Sequence, residues 1–370
     1  MKGLIDSTLR EGMQKAGVYL DEAGRSEILR RLMDFGVEEI EIGRADEPAA
    51  RIAARLALGR RLGKVRLGLW ARCRPEDVRA AGRLGPDVLS LSLPASDLLI
   101  REKLRSSRAG VLTMLDECAG LARDSGIPVL SLGLEDATRA APDFLETVMR
   151  AAAQAGFGRL RLADTLGVAA PWEMAALVRR AKAMSGIEIG VHTHNDFGMA
   201  SANAVAAIEA GADWADVSVL GLGERAGCAR LEEVAGWLAL ARGWPGYRLE
   251  GLRPLSAAVA RLAGLEVAGS HPLVGRDIFA CETGLHLVGL FRNPATYEPF
   301  EPSLVGGERR LLLGGKAGRG AVRAYFGKRG RDLGGEGLNR LTSAIRAQAE
   351  KLRRPLRAGE LEGLAKGVNG

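Results

Sequence analysis

The chain alternates between two patterns of apolar positions. Short apolar, β-rich runs occur at 3–7, 37–42, 64–70, 87–93, 127–133, 159–163, 187–192 and 215–220. Runs with helical spacing separate them, as at 21–35 and 198–210. In the first of these, Ile28, Leu29, Leu32 and Phe35 recur at a 3.6-residue period, which predicts an amphipathic helix. Pro171 sits where the first turn of a helix tolerates proline. Gly36, Gly156 and Gly211 each close a helical run before the next strand, as C-terminal caps. Eight such units within about 240 residues predict an α/β fold, a (β/α)8 TIM barrel. The rival is a doubly wound open sheet, which more often carries a glycine fingerprint after its first strand, and LIDSTLREGMQ has none.

The pattern changes near residue 245. Residues 246–300 read as helix and loop, punctuated by Pro254, Pro272, Pro294, Pro299 and Pro302. A basic, glycine-rich stretch follows at 306–320, then helical runs at 317–328 and 336–352 and a short tail. The expected division is a barrel over 1–245 and a helical C-terminal extension over 246–370.

Composition narrows the function. The 370 residues are 47% hydrophobic and 26% charged, which excludes a disordered chain. No apolar run approaches the length of a membrane helix, and MKGLIDSTLREG is charged too early for a secretory signal. Cys73, Cys118, Cys228 and Cys281 are scattered without a CxxC pair, which argues against a disulfide scaffold or zinc finger and for the cytoplasm. The net charge of +7 comes from dispersed bases with only 5% aromatics. It reads as solvated arginine-rich faces or attraction for small anions, not as a nucleic-acid surface. Glycine, at 49 residues, is nearly twice its usual share of about 7%.

In a barrel the chemistry gathers at the C-terminal ends of the strands. Those ends carry Asp6 to Gln14, Glu41, Arg72, Glu135, Asp164-Thr165, His192 to Asp196, and Gly221 to Gly227. Two of the four histidines, His192 and His194, stand at i and i+2, on one side of a strand. With a carboxylate from another strand they suit a divalent metal, although a hydrogen-bonded structural pair is the alternative. Arg10 beside Glu11 can steady an alkoxide next to a metal or can be a plain ion pair. Gly221-x-Gly223 with Gly227 allows a phosphate loop, and Glu224-Arg225 a rim ion pair.

Taken together, DSTLREGMQ (6–14), EDATR (135–139), ADTLG (163–167), HTHNDFGMASAN (192–203) and GLGERAG (221–227) resemble the metal-dependent Claisen-condensing synthases, which include homocitrate, isopropylmalate and citramalate synthases. The resemblance continues into GLH (284–286) and NPATYEPFEP (293–302). PASDLLIREKL (94–104) and GLEDATRAAPDFL (133–145) are most similar to the homocitrate synthases of nitrogenase cofactor assembly, and DSTLREG is shared with those of lysine biosynthesis.

The resemblance implies a divalent metal (Zn, Mn or Mg) on Glu11, His192 and His194. It implies that Arg10 polarises a ketone and that Gln14, Arg72 and Thr165 hold a 2-oxo acid. It implies that Glu135, His286 and Tyr297 move protons at the methyl group of acetyl-CoA. The expected reaction joins acetyl-CoA to 2-oxoglutarate, giving homocitrate and CoA. The alternatives are a citramalate or isopropylmalate synthase-like condensation, a metal-dependent retro-aldol lyase, or a non-catalytic relative. The partners implied are these small molecules and a second copy of the chain, in a homodimer. Met13, Cys228, Cys281, Val288 and Gly315-Lys316-Ala317 depart from the usual motifs. Only about 70 residues follow position 300, shorter than the regulatory domain usual in isopropylmalate synthases, which favours homocitrate synthesis.

Overall fold

The computed structural model describes residues 1–368. These form two compact units, Met1–Val267 and Ala268–Gly370.

In the first unit, strands and helices alternate as the sequence pattern predicts. The order is β1 (Gly3–Asp6), α1 (Glu22–Phe35), β2 (Glu39–Arg44), α2 (Ala49–Leu62), β3 (Arg66–Arg72), α3 (Pro75–Leu84), β4 (Val88–Pro94), α4 (Asp97–Glu102) and α5 (Arg108–Asp124). It continues with β5 (Val129–Glu135), α6 (Pro142–Gln154), β6 (Arg159–Asp164), α7 (Pro171–Ser185), β7 (Glu188–Thr193), α8 (Ala200–Glu209), β8 (Trp214–Val217), α9 (Leu231–Arg242) and α10 (Leu252–Ala263). The eight strands are parallel and close into a barrel through β1 and β8, with Ile5 beside Asp216. β8 ends earlier than the apolar run suggests, because the chain turns at Val219–Gly221.

Local chemistry sets the helix ends. Asp21 caps α1 by accepting the Gly24 N–H at 2.7 Å. Gly36 closes α1 at φ +98°, and the Gly246 carbonyl would stand 2.7 Å from any Cβ placed there. Pro171 opens α7 at its first turn. α10 packs against α1, so residues past 245 belong with the barrel's compact unit.

The barrel interior is largely ionic. Glu39 and Glu41 of β2, Ser90 of β4, Arg159 and Arg161 of β6, and Trp214 and Asp216 of β8 are all buried. Arg159 grips both oxygens of Glu39 at 2.9 Å and lies over the Trp214 ring. Two residues nearer the mouth on β6, Arg161 bonds three polar partners around it: Asp216 (2.6 Å), Glu41 (2.6 Å) and the Ser90 hydroxyl (2.7 Å). Four side chains from the even-numbered strands thus form one layer, as barrel packing requires, but joined by charge.

The second unit holds a two-stranded parallel pair, β9 (Ala280–Cys281) and β10 (Arg310–Leu311). Its helices are α11 (Gly284–Arg292), α12 (Arg319–Gly327), α13 (Gly335–Leu352) and α14 (Ala358–Val368). They share a core that includes Leu287, Val322, Phe326, Leu341 and Ile345. α14 replaces the tail expected from sequence; Leu361 and Ala365 join that core and Leu364 packs against it, at helical spacing. Among the described residues, no helix is long and apolar enough to cross a membrane.

Candidate active site

A cavity of about 220 Å³ opens at the C-terminal mouth of the barrel. It is lined by Arg10, Glu11, Gln14, Trp70, Ser90, Ser92, Lys103, Gly133, Glu135, Arg161, Ala163, Thr165, His192, His194 and Glu224. Seven of the ten residues given a role by the resemblance therefore meet there: Arg10, Glu11, Gln14, Glu135, Thr165, His192 and His194.

The centre of the site is Glu11, His192 and His194, whose candidate ligand atoms lie within 4.8 Å of one another. The two histidine Nε2 atoms face each other at 3.2 Å, and His192 Nε2 is 3.8 Å from Glu11 Oε2. Asp216 accepts the His192 Nδ1–H at 2.7 Å, which leaves the Nε2 lone pair toward the site. Burial, and then the adjacent His192, pull the His194 pKa down to about 4, so that ring is neutral at pH 7. Two opposed imidazole nitrogens need a proton or a cation between them. Two imidazoles and one carboxylate are a donor set that fits a divalent first-row metal.

The surroundings hold Glu11 in place. The Glu224 backbone N–H donates to Glu11 Oε1 at 3.1 Å, while Arg10 pairs with Oε2. Gly223 allows this approach, since a Cβ there would stand 3.1 Å from Glu11 Oε1. The glycine loop at 221–227 therefore lends a backbone N–H to the carboxylate. Glu224-Arg225 is a weak pair; Arg225 bonds Asp196 at 2.8 Å and the Thr165 carbonyl at 2.7 Å instead.

Arg10 also donates to Glu41 at 2.8 Å and to Gln14 at 3.4 Å, and Gln14 donates to Glu224 at 3.0 Å. Burial would raise the Glu41 carboxyl, but Arg10 and Arg161 outweigh it and hold it well below the usual range. On β5, Glu135 accepts from Ser92 and from Lys103, both at 2.6 Å. Thr165 accepts the Asp136 N–H at 2.8 Å, which leaves its own hydroxyl proton to donate.

Three expected residues lie outside this lining. Arg72 is absent from the lining and is held by Asp77 through two hydrogen bonds of 2.8 Å. His286 and Tyr297 belong to the second unit, where their rings stack with centroids 4.1 Å apart. Of the departures from the usual motifs, Met13 and Cys228 also lie outside the lining. The Cys228 thiol is buried against the Ser218 hydroxyl at 3.1 Å. Lys103, Ser92, Arg161 and Asp216 were not anticipated. The charges of β2 (EIEI) and β6 (RLRL) alternate with opposite sign on buried strands, a signal that could have revealed Arg161.

Comparison with known proteins agrees with this geometry. Residues 3–259 match the family described as HMGL-like, and residues 273–353 match that described as homocitrate synthase post-HMGL domain-like. A 2-isopropylmalate synthase of Caldanaerobacter subterraneus is 38% identical over 367 residues, covering 97% of this chain and 93% of that protein. Homocitrate synthase 1 of Nostoc sp. is likewise 38% identical, covering 98% and 96%. The solved HMG-CoA lyase of Bacillus subtilis superposes with a TM-score of 0.64 at 22% identity, over 72% of this chain and 95% of that one, a likeness of fold. The chain belongs to the HMGL-like family and, within it, to the synthases that condense acetyl-CoA with a 2-oxo acid.

Proposed function

We propose that the acceptor is 2-oxoglutarate and the product homocitrate. The reading rests on one observation above all: Glu11, His192, His194, Arg10 and Glu135 converge on a single cavity. A divalent cation on Glu11, His192 and His194 would supply Lewis acidity to the carbonyl of the 2-oxo acid. Arg10, fixed by Glu41 and Glu11, presents a guanidinium toward the negative charge that develops on the carbonyl oxygen. Thr165 and Gln14 orient the acid. Glu135 takes a proton from the acetyl methyl group, whose carbon then bonds the ketone carbon. Water cleaves the thioester and CoA leaves as the thiol.

His286 and Tyr297 complete the proposal as proton carriers at the acetyl group, in a homodimer. His286→Ala is expected to lower turnover while metal content stays at its wild-type level; full turnover would remove it from the mechanism.

Purified protein loaded with Zn, Mn or Mg is expected to release CoA thiol from acetyl-CoA when 2-oxoglutarate is added. Release with pyruvate or 2-oxoisovalerate alone would replace the acceptor. No release with any 2-oxo acid would remove the synthase reading.

A further inference from the structure

Three cations line the cavity: Arg10, Arg161 and Lys103. Arg161 is buried and bonded to Asp216, Glu41 and Ser90. Arg10 is committed to Glu41 and Glu11 beside the candidate metal ligands. Lys103 differs from both. It follows α4, its side chain is 55% exposed, and its one hydrogen bond goes to Glu135. An ammonium has three N–H groups, so two remain to donate.

Its place in the barrel matters as much. The candidate metal ligands come from the ends of β1 and β7, the two neighbours of β8. In a closed ring of eight, β4 and β5 stand across the mouth from β8 and β1. Lys103 follows β4 and bonds the end of β5. An acid held by its 2-oxo-carboxylate end on the β1–β7 side therefore extends toward Lys103. The wall there is Ser92, Gly133, Glu135 and Lys103, without an aliphatic side chain. A branched apolar acceptor would bury this charged pair against hydrocarbon, which is unfavourable. Arg72, the other candidate for a distal anion, is fixed on Asp77 outside the lining.

We propose that Lys103 determines acceptor specificity: its ammonium takes the distal carboxylate of a dicarboxylic 2-oxo acid while it remains bonded to Glu135. The proposal deepens the synthase reading and rests on it for its kinetic test. The measurement is the ratio of kcat/KM for 2-oxoglutarate to that for pyruvate. Loss of a charge-assisted hydrogen bond predicts that Lys103→Met lowers this ratio by about 10- to 100-fold. Lys103→Arg is expected to restore much of it. Equal losses with both acids would show that Lys103 acts only through Glu135, and the proposal would fall. A wild-type preference for pyruvate would also overturn it.

Calorimetry separates this proposal from the reaction itself. Metal-loaded wild type is expected to bind 2-oxoglutarate at least tenfold more tightly than Lys103→Met does, with pyruvate affinity alike in the two proteins. That difference would hold even if no acceptor supported thiol release. Absent or unchanged 2-oxoglutarate binding would refute the role of Lys103.

Discussion

Asp216 shows how far the site reaches behind the groups that face the cavity. One oxygen, Oδ2, takes both the His192 Nδ1–H and the Arg161 Nε–H. Its charge makes His192 a better donor to a cation. Asp216→Asn is expected to weaken metal affinity by about 10- to 100-fold, the usual effect of losing such a partner. A competition titration with a chelating dye would read this, and unchanged affinity would remove Asp216 from the site. Glu232 offers a test of stability. Burial pushes its carboxyl up to about 7, despite an N–H bond from Leu220 at 3.1 Å. The native state thus keeps this proton to a higher pH than the unfolded chain, whose value is 4.5. Stability falls as pH rises from about 4.5 to 7, and below that window the residue has no effect. Glu232→Gln should flatten the thermal midpoint between those pH values. At this scale the sequence was a partial guide. His192 and His194 were legible from their spacing, because strand alternation places i and i+2 on one side, and the family resemblance named Glu11 as their partner. Asp216 was not legible, since an acid inside an apolar strand carries no local mark of the histidine it supports.

At the scale of elements, caps and close approaches carry the argument. Asp21→Ala is expected to cost about 1 kcal/mol in a urea unfolding experiment, through the lost cap on Gly24 N–H. Gly36→Ala should cost more, because φ is +98° and the Gly246 carbonyl blocks the new methyl group. A smaller loss than that of Asp21→Ala would contradict this account. All eight predicted strands form, and α1 ends where its glycine indicated. These features are local, so a short window of sequence contains them. The true end of β8 was missed because a single turn decides it, whereas α14 went unread although Leu361, Leu364 and Ala365 stand at helical spacing.

The whole molecule reinterprets its own charge. The arginine excess reads from composition as solvated surface, yet Arg10, Arg55, Arg159 and Arg161 are buried. Arg161 links the candidate metal ligand His192, through Asp216, to Arg10, through Glu41. Arg161→Met would leave Glu41 and Asp216 without this cation inside the barrel. A loss of about 3–5 kcal/mol in denaturant unfolding is expected, the cost of stranding a buried charge. A change under 1 kcal/mol would mean that the layer tolerates the loss. By itself the sequence determined the repeated β–α units, the closed barrel they imply and the motifs at its mouth. Each follows from periodicity or from residues close together in the chain. Tertiary structure alone decided which charges meet. Arg161 lies 120 residues from Glu41 and 55 from Asp216, and only closure of the barrel sets them side by side. The pairing of β4 with β5 brings Lys103 to Glu135, whereas Asp77, a local partner, holds Arg72 outside the cavity lining.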